Sequence, residues 1–177
     1  MAAIFYFLLA VGGLVWMEIA AGHLPLERLI RPDTWLVDLG LGLASAAVIL
    51  IVWHLALHFS AAVRGVERRF RELVGPLRGD EAVVVALISG FAEELFFRGA
   101  LQPSIGWPLA TLIFALLHAL PDHELRPWLV YVLVVGLGFA ALMEWRGNIL
   151  APAVAHGVVN AVGLWRIGRG AAGAPRR

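Results

Sequence analysis

Long apolar runs alternate with short polar segments along the whole chain, and this alternation predicts its elements. Residues 3–21 are apolar as far as Trp16, Met17 and Glu18. They are long enough for a helix that crosses about 30 Å of hydrocarbon. No basic residue precedes the run, which argues against a cleaved leader. A polar loop, 22–34, carries Pro25, Arg28, Arg31, Pro32 and Asp33 before a second apolar run at 35–59, which ends near His54 and His58. Residues 60–81 are the most polar stretch. There Arg64, Glu67, Arg68, Arg69, Arg71, Glu72 and Arg78 are interleaved with Phe70, Leu73, Val74 and Leu77 at helical spacing. That is the pattern of an amphipathic helix lying on a membrane surface. Gly79 or Asp80 is placed to cap the helix that follows.

Four more spans are predicted. The third covers about 81–98, and Gly99, Pro103, Gly106 and Pro108 separate it from a fourth at about 107–120. A polar loop, 121–126, leads to a fifth at about 127–145. A turn through Glu144, Trp145, Arg146, Gly147 and Asn148 leads to a sixth at about 149–166. Residues 168–177, rich in Gly, Ala and Arg, read as a loose tail. Glu18, Asp38 and Glu144 sit near span ends and are expected to reach the interface. Gly136 and Gly138 are expected to serve helix packing.

Composition turns this pattern into a class. The chain is 60% hydrophobic and 15% charged, with a mean hydropathy of +0.82. Soluble domains run at about 45–50% apolar and about 25% charged. The 177 residues therefore read as a single integral membrane domain, an all-α bundle of six transmembrane helices plus a surface helix. There is no cysteine, so thiol nucleophiles, disulfides and cysteine-bound zinc are excluded. All fourteen basic residues are arginines. With six alternating spans, ten of them share one side of the membrane; Arg28, Arg31, Arg98 and Arg146 take the other. The arginine-rich side is expected to be cytoplasmic and to hold both termini. The expected location is a bacterial inner (plasma) membrane. A net charge of +1 gives no reason to invoke nucleic acid.

Against this background one stretch is out of place. Glu93 and Glu94 lie side by side in the apolar third span. A charge at mid-bilayer costs at least ~2.5–3.5 kcal/mol on insertion scales. Arg98 lies one turn after Glu94 and can pair with it. Glu93 points about 100° away, without that partner and free for chemistry. A plainer reading puts Glu94 and Arg98 at a helix end that reaches the interface. His118 and, one turn apart, His156 and Asn160 are also polar residues inside apolar spans. At a rise of about 1.5 Å per residue, all four, Glu93 included, fall roughly 12–18 Å into their spans. A carboxylate and an imidazole at one point can take a proton from water. A second imidazole and an amide can donate to a developing oxyanion. His54 and His58 also share a face, but their position beside the arginine-rich segment suits an interface better than a metal site.

Glu-Glu-x-x-x-Arg at 93–98, Phe-x-x-x-His at 114–118 and His-x-x-x-Asn at 156–160 occur in this order, each on a predicted span. Together they resemble the three motifs of the CAAX-processing and bacteriocin-processing intramembrane protease family, which includes the eukaryotic Ras-converting endopeptidase. The resemblance covers about residues 80–165, the expected catalytic core. It implies that Glu93 activates water with His118, and that His156 and Asn160 hold the oxyanion. Glu94, Arg98 and Phe114 would support the site, and no cofactor is expected. The predicted six spans are fewer than the eukaryotic members have. A zinc protease with Glu93, His118 and His156 as ligands is the nearest alternative, although His-Glu-x-x-His is absent. Two other classes are a bacteriocin-immunity protein that only binds, and a small transporter using Glu93 as proton carrier. The expected partners are the lipid bilayer and a membrane protein or peptide substrate, engaged through its C-terminal segment.

Overall fold

The computed structural model describes residues 2–75 and 78–172. Among these every regular element is a helix, as the apolar spacing predicts. In chain order they are α1 (Ala2–Ala21), α2 (Trp35–Phe59), α3 (Ala61–Val74), α4 (Gly79–Glu94), a π-helical segment (Leu95–Leu101), α5 (Gln102–Ile105), α6 (Trp107–Leu117), α7 (Arg126–Arg146) and α8 (Leu150–Ala172). Short 3-10 turns lie at Leu26–Arg28 and His123–Leu125. The helices α1, α2, α7 and α8 are each long and apolar enough to cross a membrane. The chain is an integral membrane protein built as a polytopic helical bundle. Its outward-facing aliphatic and aromatic side chains, such as Ile4, Val48, Leu87 and Val134, belong in lipid.

The third and fourth predicted spans come out differently. Gly99 does not break the third. The helix widens to π geometry at Leu95–Leu101 and runs on through Pro103 at the start of α5. It stops at Gly106, whose φ of 84° ends the run. Conversely, α6 has only eleven residues, roughly 16 Å at 1.5 Å per residue, about half the hydrocarbon thickness. His118 is its C-cap rather than a mid-span residue. The sixth predicted span, α8, continues to Ala172, past the end expected from hydropathy, and residues 173–177 of the expected tail lie outside the described residues.

The expected surface helix is present as α3. Ser60 caps it by accepting from the Val63 N–H at 3.4 Å. Val66 and Glu67 face inward while Arg64, Arg68, Arg71, Glu72 and Leu73 are exposed. Ion pairs fix it in place: Arg69 Nε donates to Asp122 Oδ2 at 2.6 Å and Arg68 reaches Glu124 at 3.3 Å.

Asp38 corrects another expectation. It does not reach the interface; it is fully buried in the first turn of α2. There it accepts from Thr34 Oγ1 (2.9 Å), Arg146 Nε (2.5 Å) and Asn148 Nδ2 (3.0 Å). These bonds tie the start of α2 to the turn between α7 and α8. Glu18 and Glu144 are exposed. Gly136 packs tightly, with Thr111, Phe114 and Arg98 around it, whereas Gly138 has open space beside it and serves no packing contact.

A close pair of helices sets up the centre of the molecule. Gly90 of α4 lies against Gly157 of α8, where a Cβ on Gly90 would meet the Gly157 backbone nitrogen at 2.8 Å. The absence of side chains at both positions lets the backbones approach to that degree. Ser89 pairs with Asn160 on one side of this contact, and Glu94 pairs with His156 on the other. Numbers rise along α4 as they fall along α8, so the two helices run antiparallel. In each pair a residue next to one glycine thereby meets a residue about one turn from the other.

Candidate active site

Glu93 and Glu94 are the last residues of α4, immediately before the π-helical segment. Such widened turns occur frequently at functional sites. Glu94 is fully buried, and its Oε1 lies 3.3 Å from Arg98 NH1, the pair expected from the four-residue spacing. Arg98 is 1% exposed, so the interface reading of this pair fails. Its NH2 donates to the Gly136 carbonyl at 3.1 Å, and its guanidinium lies over the Phe114 ring, 4.3 Å from the centroid. A planar cation surrounded by a carboxylate, a carbonyl and an aromatic face is a stable way to bury an arginine.

Glu93 turns to the other face. Its Oε2 lies 3.5 Å from His118 Nε2 and 3.7 Å from His156 Nε2. Both separations exceed those of well-formed hydrogen bonds. The remaining ring nitrogens are committed. His118 Nδ1 lies 2.8 Å from the Phe114 carbonyl, and His156 Nδ1 lies 2.8 Å from Glu94 Oε1. A carbonyl or a carboxylate can only accept, so both Nδ1 atoms carry hydrogen. It follows that both Nε2 atoms, in neutral rings, present lone pairs toward Glu93 Oε2. Phe139 stacks on the His156 ring at 5.3 Å and 29°. Phe114 lies 4.4 Å from the His118 ring, which places this one aromatic against both His118 and Arg98.

Glu93, His118, His156 and Asn160 line a single cavity of about 350 Å³. All four residues singled out in the sequence are therefore brought to one place. Asn160 makes no hydrogen bond to Glu93; its Nδ2 donates to Ser89 Oγ at 3.3 Å. The walls also include Tyr6 of α1 and the aromatic side chains Trp53, Phe70, Trp128 and Tyr131. His54 and His58 are exposed on α2 and do not line it. Among the described residues, no group of three His, Asp or Glu side chains is arranged to hold a metal ion.

Sequence reasoning missed Ser89, Tyr6, Phe139 and the Gly90–Gly157 contact. Ser89 had a signal, being one turn before Glu93 on the same face of α4. Phe139 and Tyr6 had none, since both reach the cavity from helices distant in the chain.

Comparison with known proteins supports the motif resemblance. Residues 81–162 match the family model described as type II CAAX prenyl endopeptidase Rce1-like. This segment is thus similar to the Rce1-like family over a little under half of the chain. A curated relative, the uncharacterized protein YpbD of Bacillus subtilis (strain 168), is 40% identical over 82 residues, covering 45% of this chain and 42% of YpbD. The match thus spans less than half of that relative's length. No solved structure matches the chain. The Rce1-like segment holds Glu93, Glu94, Arg98, Phe114, His118, His156 and Asn160. Helices α1 to α3 lie outside it, so Tyr6, Trp53 and Phe70 add walls to the cavity that the segment alone lacks.

Proposed function

We propose that this chain is a CAAX-type intramembrane endopeptidase. In this reading it hydrolyses a peptide bond of a membrane-associated or lipid-modified substrate, with no covalent intermediate. One observation carries the reading: a buried carboxylate, Glu93, is faced by Nε2 of two imidazoles in a cavity lined by the Rce1-like segment.

Glu93, with His118 Nε2 beside it, takes a proton from water. The water oxygen bonds to the substrate carbonyl carbon, and the π electrons move onto the carbonyl oxygen. In this reading Asn160 Nδ2 and His156 Nε2 donate to that oxyanion. His156 donates from Nε2 only when doubly protonated, with Glu94 as its counter-charge. As the intermediate collapses, the C–N bond breaks and the amine leaves with the proton held by Glu93 and His118. Glu94, Arg98 and Phe114 hold the two imidazoles in place. The substrate enters through its C-terminal segment, and the arginine-rich side with both termini is cytoplasmic.

One observation favours a second reading. Each imidazole anchors Nδ1 on an oxygen and turns Nε2 to the same carboxylate, as histidines that bind metal do. Glu93, His118 and His156 would then hold Zn²⁺, which would supply Lewis-acid activation of water. The metal-free reading is preferred because the motif resemblance favours it and His-Glu-x-x-His is absent from the sequence.

The test is a proteomic comparison of host membranes carrying the wild-type chain or Glu93→Gln. New protein C-termini confined to the wild type support proteolysis. Identical C-terminal inventories contradict it.

A further inference from the structure

We propose that Ser89 is a positioning residue that fixes the amide of Asn160 for oxyanion binding. The inference rests on the proteolytic reading above and assigns a role to a residue outside the three motifs.

Ser89 is 4% exposed and lies on α4, one turn before Glu93 and next to Gly90. Its hydroxyl donates to the Ala86 carbonyl at 3.1 Å. Having one hydrogen, it can then only accept from a second partner. That partner is Asn160, at 3.3 Å. An acceptor at that point selects the orientation of the amide: Nδ2 faces Ser89, and the reversed amide would set Oδ1 against an oxygen lone pair. Nδ2 has two hydrogens. One goes to Ser89, and the second is left to donate into the cavity that Asn160 lines with Glu93 and His156. Without Ser89 the amide is free to turn, and half of its orientations present Oδ1, an acceptor that repels an oxyanion. The Gly90–Gly157 contact keeps α4 and α8 close enough for this bond.

The experiment uses the full chain in proteoliposomes, with a farnesylated fluorogenic CAAX peptide as probe. Ser89→Ala is expected to lower kcat by about 10–100-fold with KM little changed, the range for losing a group that orients a reacting one. Ser89→Thr, which keeps the hydroxyl, is expected to restore most of the rate. In an Asn160→Ala background Ser89→Ala should cost little more, because the two act as a unit. A purely structural tie between helices would instead lower thermal stability and leave kcat intact. Wild-type kcat in Ser89→Ala, with Glu93→Gln inactive, overturns the positioning role and leaves proteolysis standing. Full additivity with Asn160→Ala overturns the role as well. Absence of cleavage by the wild type, or equal cleavage by wild type and Glu93→Gln, overturns the proteolytic reading and the role with it.

Discussion

His156 Nδ1 lies 2.8 Å from Oε1 of Glu94, the same oxygen that Arg98 approaches at 3.3 Å. One buried carboxylate oxygen therefore holds a ring of α8 and a guanidinium of the π-helical segment at once. The pairing leaves His156 with only Nε2 to turn toward Glu93.

Arg98→Ala is expected to act first on stability. It removes the cation beside Glu94 and the side-chain donor to the Gly136 carbonyl. Breaking a buried pair from one side costs on the order of 3–5 kcal/mol in soluble proteins. Adding Glu94→Gln should recover part of the loss, since no charge is then left alone. Thermal unfolding in detergent checks this. A double variant no more stable than Arg98→Ala contradicts the pairing.

Gly90→Ala should separate the two halves of the site. The added methyl meets the backbone of Gly157, which has no side chain that could rotate away. Overpacking of this kind costs about 1–3 kcal/mol. The expected result is a lower melting temperature together with reduced turnover, because α8 carries His156 and Asn160. A variant with both properties unchanged would show that the helices do not meet at this point.

Acid should release α3 from the 121–126 loop. The guanidinium of Arg69 and the Glu124 backbone N–H hold the Asp122 carboxyl below the usual carboxylate range. A carboxyl that ionises more readily when folded stabilises fully above about pH 4. Its contribution fades as pH falls through the depressed folded value. Asp122→Asn at neutral pH should raise amide exchange in α3, and acidifying the wild type should do the same. Equal α3 exchange in the two proteins at neutral pH contradicts this docking.

The natural absence of cysteine makes the orientation directly measurable. With single cysteines at the exposed positions Glu72→Cys in α3 and Glu27→Cys in the first loop, an impermeant maleimide should label position 27 in intact cells. Position 72 should react only in inverted vesicles. The reverse pattern would place the termini outside.

The site was legible in the sequence to the extent that it is local. Glu94 and Arg98 sit four apart, as do Phe114 and His118, and His156 and Asn160; in each case one helical turn places both side chains together. Their convergence needed only the placement of polar residues within apolar runs. What stayed hidden depends on contacts between distant segments. Asp38 looked like an interfacial residue because Arg146 and Asn148, which bury it, are more than a hundred positions away. Gly99 and Pro103 looked like a break, yet packing carries the helix past both to Gly106. Hydropathy extended the fourth span to residue 120 because apolar residues continue past the point where the α6 helix stops.

The most direct measurement is turnover of purified Glu93→Gln against wild type, on a farnesylated fluorogenic CAAX peptide in proteoliposomes, with bound zinc and melting temperature determined on the same samples. The substitution keeps the shape of the side chain and removes the base. The account predicts a fall in kcat of about 10²–10⁴-fold, an undiminished melting temperature and no stoichiometric zinc in the wild type. Cleavage by Glu93→Gln at the wild-type rate would contradict Glu93 as the base. Zinc at one ion per chain that disappears with the substitution would contradict the metal-free mechanism.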